Sequence, residues 1–499
     1  MALTQQDILY FIITDRFYGE PDKTVKTDLN NPKAFHGGNF EGIVSKIPYL
    51  KKLGITALWI TPVYLQVPED NNGLYGYHGY WTLDFNAVDP CLYVDKSKYQ
   101  AGSKLYLKDL VTILHKNGIK LVLDMVVNHT GYRHPALTDK ENPTPIRSDW
   151  FNSFYIGVEN DEIQGQLAGL PDMDLDKSEV SDYHIQTILS WIKETGIDAI
   201  RMDTAKHVEK IFWNDFKTHV KGKYPDVSLL GEVLLFTIEE VSKYQQHFAF
   251  DSLFDFPLQR AIENVFAYND TLETFVSPFS KGTGILEKDN AYTNHNRLVT
   301  LLDNHDLSAR FYTTVLRAFG QNREAATRVY MLSLSFLFTI RGIPQIYYGN
   351  EMGMEGGADP DNRRDFEWHR LDKNYEIIPD FRDEKLIYDH TRQLIKIRKE
   401  NDALTTGSFI CLYVDYFLLV YLRHHNENVV ITVIHNGWQK GQQPCKISYD
   451  QNPVIPARIK NLLEGKTLKC KLTGNQSIIS SCSFEIWPDW KSAMILTLD

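Results

Sequence analysis

The sequence predicts an α/β protein: a (β/α)8 TIM barrel with a small domain inserted after its third strand and a C-terminal antiparallel β-sandwich. Three observations predict it. Eight short apolar runs each stop abruptly at polar or charged residues. Helical patterns separate most of these runs, which argues for parallel strands covered by helices. Near residue 400 the helical period gives way to alternation and β-branched residues. Eight strand–helix units over roughly 400 residues favour a closed barrel over a doubly wound sheet.

In chain order the runs are ILYFIITDRF from Ile8, GITALWITPV at 54–63, GIKLVLDMVVNH at 118–129, GIDAIRMD at 196–203, VSLLGE at 227–232, FAFDS at 248–252, RLVTLLDNHD at 297–306 and GIPQIYYGNE at 342–351. Helices are predicted at 104–117, 181–195, 205–220 and 321–338. About 50 residues separate the third run from the second of these helices, too many for an ordinary loop. They contain Pro135, Pro143, Pro145 and Pro171 and are read as an inserted domain at 132–180. The barrel then occupies 1–131 and 181–404. The stretch beginning DALTTGSFICLYV, with further runs near 465–472, 480–487 and 494–498, predicts the antiparallel β domain at 405–499.

At 499 residues the chain is long enough for one large barrel with attachments. A hydrophobic fraction of 43% and a charged fraction of 23% exclude bulk disorder. Lys plus Arg is 53 against 64 Asp plus Glu, a net charge of -11, with no long basic block. A nucleic-acid partner is therefore not expected, whereas an uncharged ligand meets no such objection. The longest apolar stretch after the first run, around Met331 to Ile340, is broken by Ser333 and Ser335 and is too short to cross a bilayer. The N-terminus lacks the features of a signal peptide. Cytoplasm, or secretion with a leader already removed, both fit, and the chain is read as a monomer. The cysteines Cys91, Cys411, Cys445, Cys470 and Cys482 are odd in number and form no CxxC pair. Dispersed thiols are a better reading than a zinc site or a disulfide scaffold, with one or two bridges after residue 410 left open.

In barrels of this kind catalytic groups stand at the C-terminal ends of the strands. Asp124, Asn128 and His129 end the third run, and Arg201, Asp203, Lys206 and His207 the fourth. Glu232 ends the fifth, and His305 and Asp306 the seventh. A single His or Asp could serve as a core or capping residue. Four groupings at equivalent ends predict a shared cleft containing Asp203, Glu232 and Asp306. Two chemistries fit. A transition-metal centre would use His129, His305 and the acids, but no HExxH or closely paired histidines occur. The alternative is nucleophilic and acid–base attack at an acetal carbon, in which one carboxylate attacks and one carboxylic acid protonates the leaving oxygen.

The segments DMVVNH at 124–129, GIDAIRMDTAKH at 196–207, GEVL at 231–234 and LLDNHD at 301–306 occur in order, with LPDMD at 170–174 and GITALWITPV as secondary matches. By these motifs the sequence resembles the α-amylase family of glycoside hydrolases over nearly its whole length. The resemblance implies that Asp203 is the nucleophile, Glu232 the general acid and then base, and Asp306 the carboxylate that holds sugar hydroxyls and stabilises the transition state. Arg201, two residues before Asp203 on one strand face, should keep Asp203 ionised and oriented. The same resemblance makes His129 and His305 ligands of the reacting sugar and Tyr80, in LYGYHGYW at 74–81, its stacking platform with His78 beside it. It places Lys206, His207 and Leu234 on the acceptor side and matches Asp359 and Arg363, in GADPDNRR, to a further substrate loop. A structural Ca2+ is implied as well, held by Asn128, Asp172 and the carbonyl of His207.

LPDMD, the Lys206–His207 pair and Leu234 in place of an aromatic residue favour α-amylase-like endo-hydrolysis of starch, glycogen and maltooligosaccharides. YHGYW and the D-P-x-N-R order resemble the cyclising group. A cyclomaltodextrinase or α-1,4-glucanotransferase is therefore the alternative. A non-catalytic carbohydrate-binding protein on the same scaffold would be expected to have lost one of the three acids, and all three are present.

Overall fold

The computed structural model describes every residue except 1, 20–24, 26, 68–74, 139, 153–161, 249, 278–281, 439–443 and 453. Leu74 of the aromatic segment, Ala249 of the sixth run and part of the insertion thus lie outside the described residues. Eight strands form one parallel sheet: β1 Leu9–Ile12, β2 Ala57–Ile60, β3 Lys120–Met125, β4 Ala199–Met202, β5 Ser228–Gly231, β6 Ser252–Leu253, β7 Val299–Thr300 and β8 Ile343–Tyr347. Their order is β6-β5-β4-β3-β2-β1-β8-β7. A parallel bridge between Phe254 and Val299, with the Asp255 amide donating to the Val299 carbonyl at 2.9 Å, joins the two edges and closes the barrel. Seven of the predicted runs contain their strand, and the sixth, 248–252, meets its strand Ser252–Leu253 only at Ser252.

The barrel helices include α1 Leu105–Lys116, α2 Ser178–Thr195, α3 Lys210–Lys223 and α4 Arg323–Thr339. α2 stops at Gly196, whose φ of 74° gives the left-handed cap that releases the chain into β4. α3 starts later than its apolar pattern suggests, because Ala205–His207 form a separate 3-10 turn at the mouth of the barrel. α4 is capped by the Asn322 side chain, which accepts from the Ala325 amide at 3.2 Å.

Strand register decides what fills the interior. Phe11 on β1 pairs with Trp59 on β2 and Tyr347 on β8, and its ring stacks on theirs at 3.5 and 5.2 Å. Asp124 on β3 and Arg201 on β4 are register partners. The Arg201 guanidinium lies 5.2 Å over the Trp59 ring, so these charges point into the barrel above an aromatic floor. An antiparallel hairpin, Tyr64–Gln66 with Thr82–Val88, follows β2. The segment after β3 contains short 3-10 turns and is fastened back to the barrel by the bridge His129–Asp172, while Phe151–Met173 bridges two parts of the segment itself.

Eight further strands build the C-terminal part: β9 Ser408–Val414, β10 Leu418–His425, β11 Asn428–His435, β12 Cys445–Ser448, β13 Thr467–Cys470, β14 Gln476–Ile478, β15 Ser483–Ile486 and β16 Ser492–Leu498. They form an antiparallel six-stranded sheet, ordered β9-β10-β11-β16-β13-β14, and a β12–β15 pair. Side chains alternate between two cores. Leu418, Val420 and Leu422 pack with Ile447, Phe484 and Ile486 of the pair, whereas Leu419 and Tyr421 join the barrel core. A sheet covered on both faces explains the unbroken apolar run LLVYL. Asp402–Thr405, in the stretch expected to be strand, is instead a helical turn, and β12, β14 and the helix Ala457–Leu463 had no clear sequence signal. All five cysteines are free thiols.

Candidate active site

Arg201 and Asp203 are two residues apart and share one face of β4 and its extension. Arg201, fully buried, is the hub. Its Nη1 lies 2.9 Å from Asp124 Oδ1 and 2.6 Å from Asp203 Oδ1, and its Nη2 lies 3.0 Å from Glu232 Oε2. Asp124 also accepts from Trp59 Nε1 at 3.0 Å and from the Tyr80 hydroxyl at 2.8 Å. Glu232 follows Gly231 at the end of β5. Gly231 is required there, since a Cβ would come within 2.8 Å of the Phe250 ring. Glu232 Oε2 also accepts the Thr204 amide at 2.9 Å. Thr204 presents that amide from a left-handed conformation, φ 47°, which is costly for a β-branched residue. Asp306 closes the third side, 3.3 Å from His305 Nε2 and 3.3 Å from Arg363 Nη2. Arg363 also pairs with Asp359 at 3.3 Å.

One guanidinium therefore faces three buried carboxyl groups. Burial raises Glu232 above the usual carboxylate range, against the pull of Arg201. It pushes Asp203 up to about 7 and Asp124 up to about 8, again with Arg201 opposing. Sequence reasoning expects Arg201 to keep Asp203 ionised and oriented. The orientation is present, and the guanidinium opposes the rise that burial, Glu232 and Asp306 impose on Asp203. The cluster shares protons near neutral pH. In that state one carboxyl can give up a proton while another attacks.

The imidazoles are neutral for the same reason. Burial lowers His129 to about 4 and holds His78 and His305 well below the usual range. His78 Nδ1 accepts the Tyr80 amide at 3.1 Å, so its proton sits on Nε2, where it can donate to a hydroxyl. The Tyr80 ring stacks on His305 at 5.4 Å. His129 has no side-chain hydrogen-bond partner among the described residues. Lys206 Nζ is held by Glu162 at 2.7 Å, and His207 Nδ1 lies 2.8 Å from the Glu162 carbonyl, which ties this pair to the insertion.

His78, Tyr80, His129, Asp203, Lys206, His207, Glu232, Leu234, His305, Asp306, Asp359 and Arg363 all line one cleft of about 370 Å³, and Arg201 lies beneath it. A larger cavity, about 830 Å³, opens between α4, the helix Arg382–Glu400 and β16, and shares none of these residues. Sequence reasoning noted Asp124 only as a strand end and missed Thr204 and Glu162. Their parts come from backbone strain and loop packing, which no spacing announces.

Asn128 and Asp172 meet, buried, where the insertion rejoins the barrel. Asn128 Nδ2 donates to Asp172 Oδ1 at 3.1 Å, and Asn152 Nδ2 donates to Asp172 Oδ2 at 2.6 Å. Both Asp172 oxygens accept amide N–H groups here; a hard cation would be held instead by the Asp172 carboxylate and the Asn128 side-chain oxygen. Beside it, Asp174, Asp176 and Glu209 each bring a carboxylate oxygen within 4.8 Å of the others, a second grouping that could hold a metal ion and that sequence reasoning missed.

The family profile described as the α-amylase catalytic domain matches residues 11–407. The chain belongs to the α-amylase family. It is an enzyme of the glycoside-hydrolase type, with the family's barrel and C-terminal sheet. The crystal structure of an Anoxybacillus α-amylase superposes with a TM-score of 0.82 at 32% identity, covering 100% of this chain and 99% of that one. A cyclomaltodextrinase of Thermoanaerobacter pseudethanolicus is 31% identical over 87% of this α-amylase-family chain and 71% of its own length. A β/α-amylase of Paenibacillus polymyxa is 31% identical over 86% of the chain, which spans 33% of that relative. Other relatives are a maltogenic α-amylase, a neopullulanase and a cyclomaltodextrin glucanotransferase.

Proposed function

We propose that this enzyme hydrolyses α-1,4-glucosidic bonds in maltodextrins, cyclic ones included, by retaining double displacement. The observation that carries the proposal is the cluster in which Arg201 holds Asp203 and Glu232 together while Asp306 faces them across the same cleft. Asp203 attacks the anomeric carbon. Glu232 gives its proton to the leaving oxygen, and the Thr204 amide fixes the carboxyl that does so. Water, deprotonated by Glu232, then releases the sugar from Asp203. Asp306 and the neutral imidazoles of His129 and His305 hold the reacting sugar's hydroxyls, and Tyr80 offers its ring to the pyranose face. Lys206, His207 and Leu234 receive the leaving segment. Leu234 gives an incoming sugar less flat surface than an aromatic ring would, which favours water as acceptor.

Names of cyclomaltodextrinases, maltogenic amylase and neopullulanase recur among the relatives, which supports maltodextrin and cyclodextrin substrates over the endo-acting starch reading. The end-to-end match to the Anoxybacillus α-amylase is the observation that favours the starch reading. Parallel time courses on a cyclomaltodextrin and on soluble starch separate the two. Faster release of reducing ends from the cyclic substrate is expected. Starch cut into long fragments while the ring stays intact would reject the proposal in favour of endo-hydrolysis.

For the metal, Asn128, Asp172 and the His207 carbonyl are the proposed ligands of a structural Ca2+ that ties the insertion to the barrel. Binding to the folded state alone raises stability by linkage. Chelation is expected to lower the thermal midpoint and added calcium to restore it, with Asp172→Ala blunting both responses. An unchanged midpoint under chelation would exclude the ion.

A further inference from the structure

We infer that the acceptor side of the cleft continues as a glucan track that runs to the C-terminal domain over three exposed rings, Phe236, Tyr268 and Trp438. The inference rests on the reading of the cleft as an α-glucan hydrolase and names the substrate feature that it selects: a long linear segment on the leaving-group side.

Three cavities lie in series, each sharing wall residues with the next. The catalytic cleft shares Leu234 and Asp306 with a second cavity of about 480 Å³, which lies between the loops that follow β5 and β7. The second shares Tyr268 with a third, about 400 Å³, that reaches Trp438 just beyond β11. Phe236, Tyr268 and Trp438 are 37%, 61% and 49% exposed, so each ring offers surface to the cavities it lines. None hangs loose. The Arg260 guanidinium lies 4.0 Å over Phe236. The Tyr268 hydroxyl donates to Glu263 at 3.4 Å. Trp438 packs on Phe319 at 5.4 Å and on Trp490 at 6.1 Å, with Lys491 Nζ 4.6 Å over its ring. Rings held in place lose little freedom on binding.

The groups between the rings identify the occupant. The amides of Asn264, Asn269 and Asn322 line the second and third cavities. Separate rings alternating with these amides and with the charged Arg260 and Glu263 offer donors and acceptors to hydroxyl edges between apolar pyranose faces. A protein partner would be expected to meet one contiguous apolar patch instead. Because the path opens beside Leu234 and Asp306, a chain lying in it leads its scissile bond to the carboxyl groups.

The test is chain-length kinetics on the intact enzyme. KM for linear maltodextrins should keep falling as chains grow beyond those that fill the catalytic cleft. In the Tyr268→Ala/Trp438→Ala variant the ratio of kcat/KM on long amylose to that on maltotriose should drop about threefold to tenfold, mainly through KM. Phe at both positions should restore much of it. A KM that levels off at maltotriose, or an unchanged ratio in the alanine variant, would overturn the track. Wild-type enzyme that releases no reducing sugar from any α-glucan would reject the hydrolase reading itself, a separate outcome from hydrolysis without length dependence.

Discussion

Two buried arginines in this barrel are built alike and do different things. Arg341, just before β8, binds Asp289 through Nε at 2.8 Å and through Nη2, and binds Asp255 through Nη1. Asp255 also caps the helix that follows β6 by accepting the Leu258 amide at 3.2 Å. Every acid there is spoken for by a cation or an amide, and none lines the catalytic cleft. Arg201 instead faces Asp124, Asp203 and Glu232, and the last two open on the cleft beside Asp306. One cluster is closer to charge balance and closed. The other carries excess acid and is open. The difference teaches that a buried ion pair signals chemistry only where carboxyl groups outnumber the cation and reach a cavity.

Breaking each cluster should separate the two roles. Asp203→Asn is expected to cost about ten-thousand-fold in kcat on any maltodextrin, with the fold intact by circular dichroism. Arg341→Met should leave kcat near wild type but lower the folding free energy by about 3–5 kcal/mol, because it strands two carboxylates. Chemical denaturation of the variant checks this, and activity loss without stability loss would reverse the assignment.

A smaller effect sharpens the comparison. Asp203 is pushed up to about 7 in the folded protein, above the value of 3.8 it has when exposed. The folded state then binds the extra proton between those values, so this contribution to stability is fully present below pH 4 and is lost as pH rises through 7. Asp203→Asn should remove that slope. At pH 8 the variant should be more stable than wild type, and the gap should close as pH falls toward 4. Equal stability of the two proteins at pH 8 would mean that the carboxyl group is not strained.

Much of this was legible in the sequence. Short apolar runs separated by helical patterns give the barrel strands, and the rule that function sits at strand ends picks out Asp203, Glu232 and Asp306 from sequence alone. The C-terminal sheet was legible as strand but not in detail, because its second face packs on the barrel and blurs the alternation in β10. What could not be read depends on contacts distant in sequence. Asp124 becomes part of the cluster only because its register partner is Arg201. Thr204 matters through a backbone angle. Asp174 and Asp176 approach Glu209 only when the insertion folds back on the loop before α3. Tyr268 and Trp438 lie 170 positions apart and meet one groove through the docking of the C-terminal sheet on the barrel.

The most direct test of the central claim, that Asp203 and Glu232 act as nucleophile and acid–base pair on one sugar, is the configuration of the product at the moment of release. Proton NMR on fresh digests of a maltodextrin, recorded before mutarotation, should show the α-anomer, because two displacements at one carbon retain its configuration. A β-anomer formed first would require a single displacement by water, and would contradict the assignment of Asp203 as the attacking group.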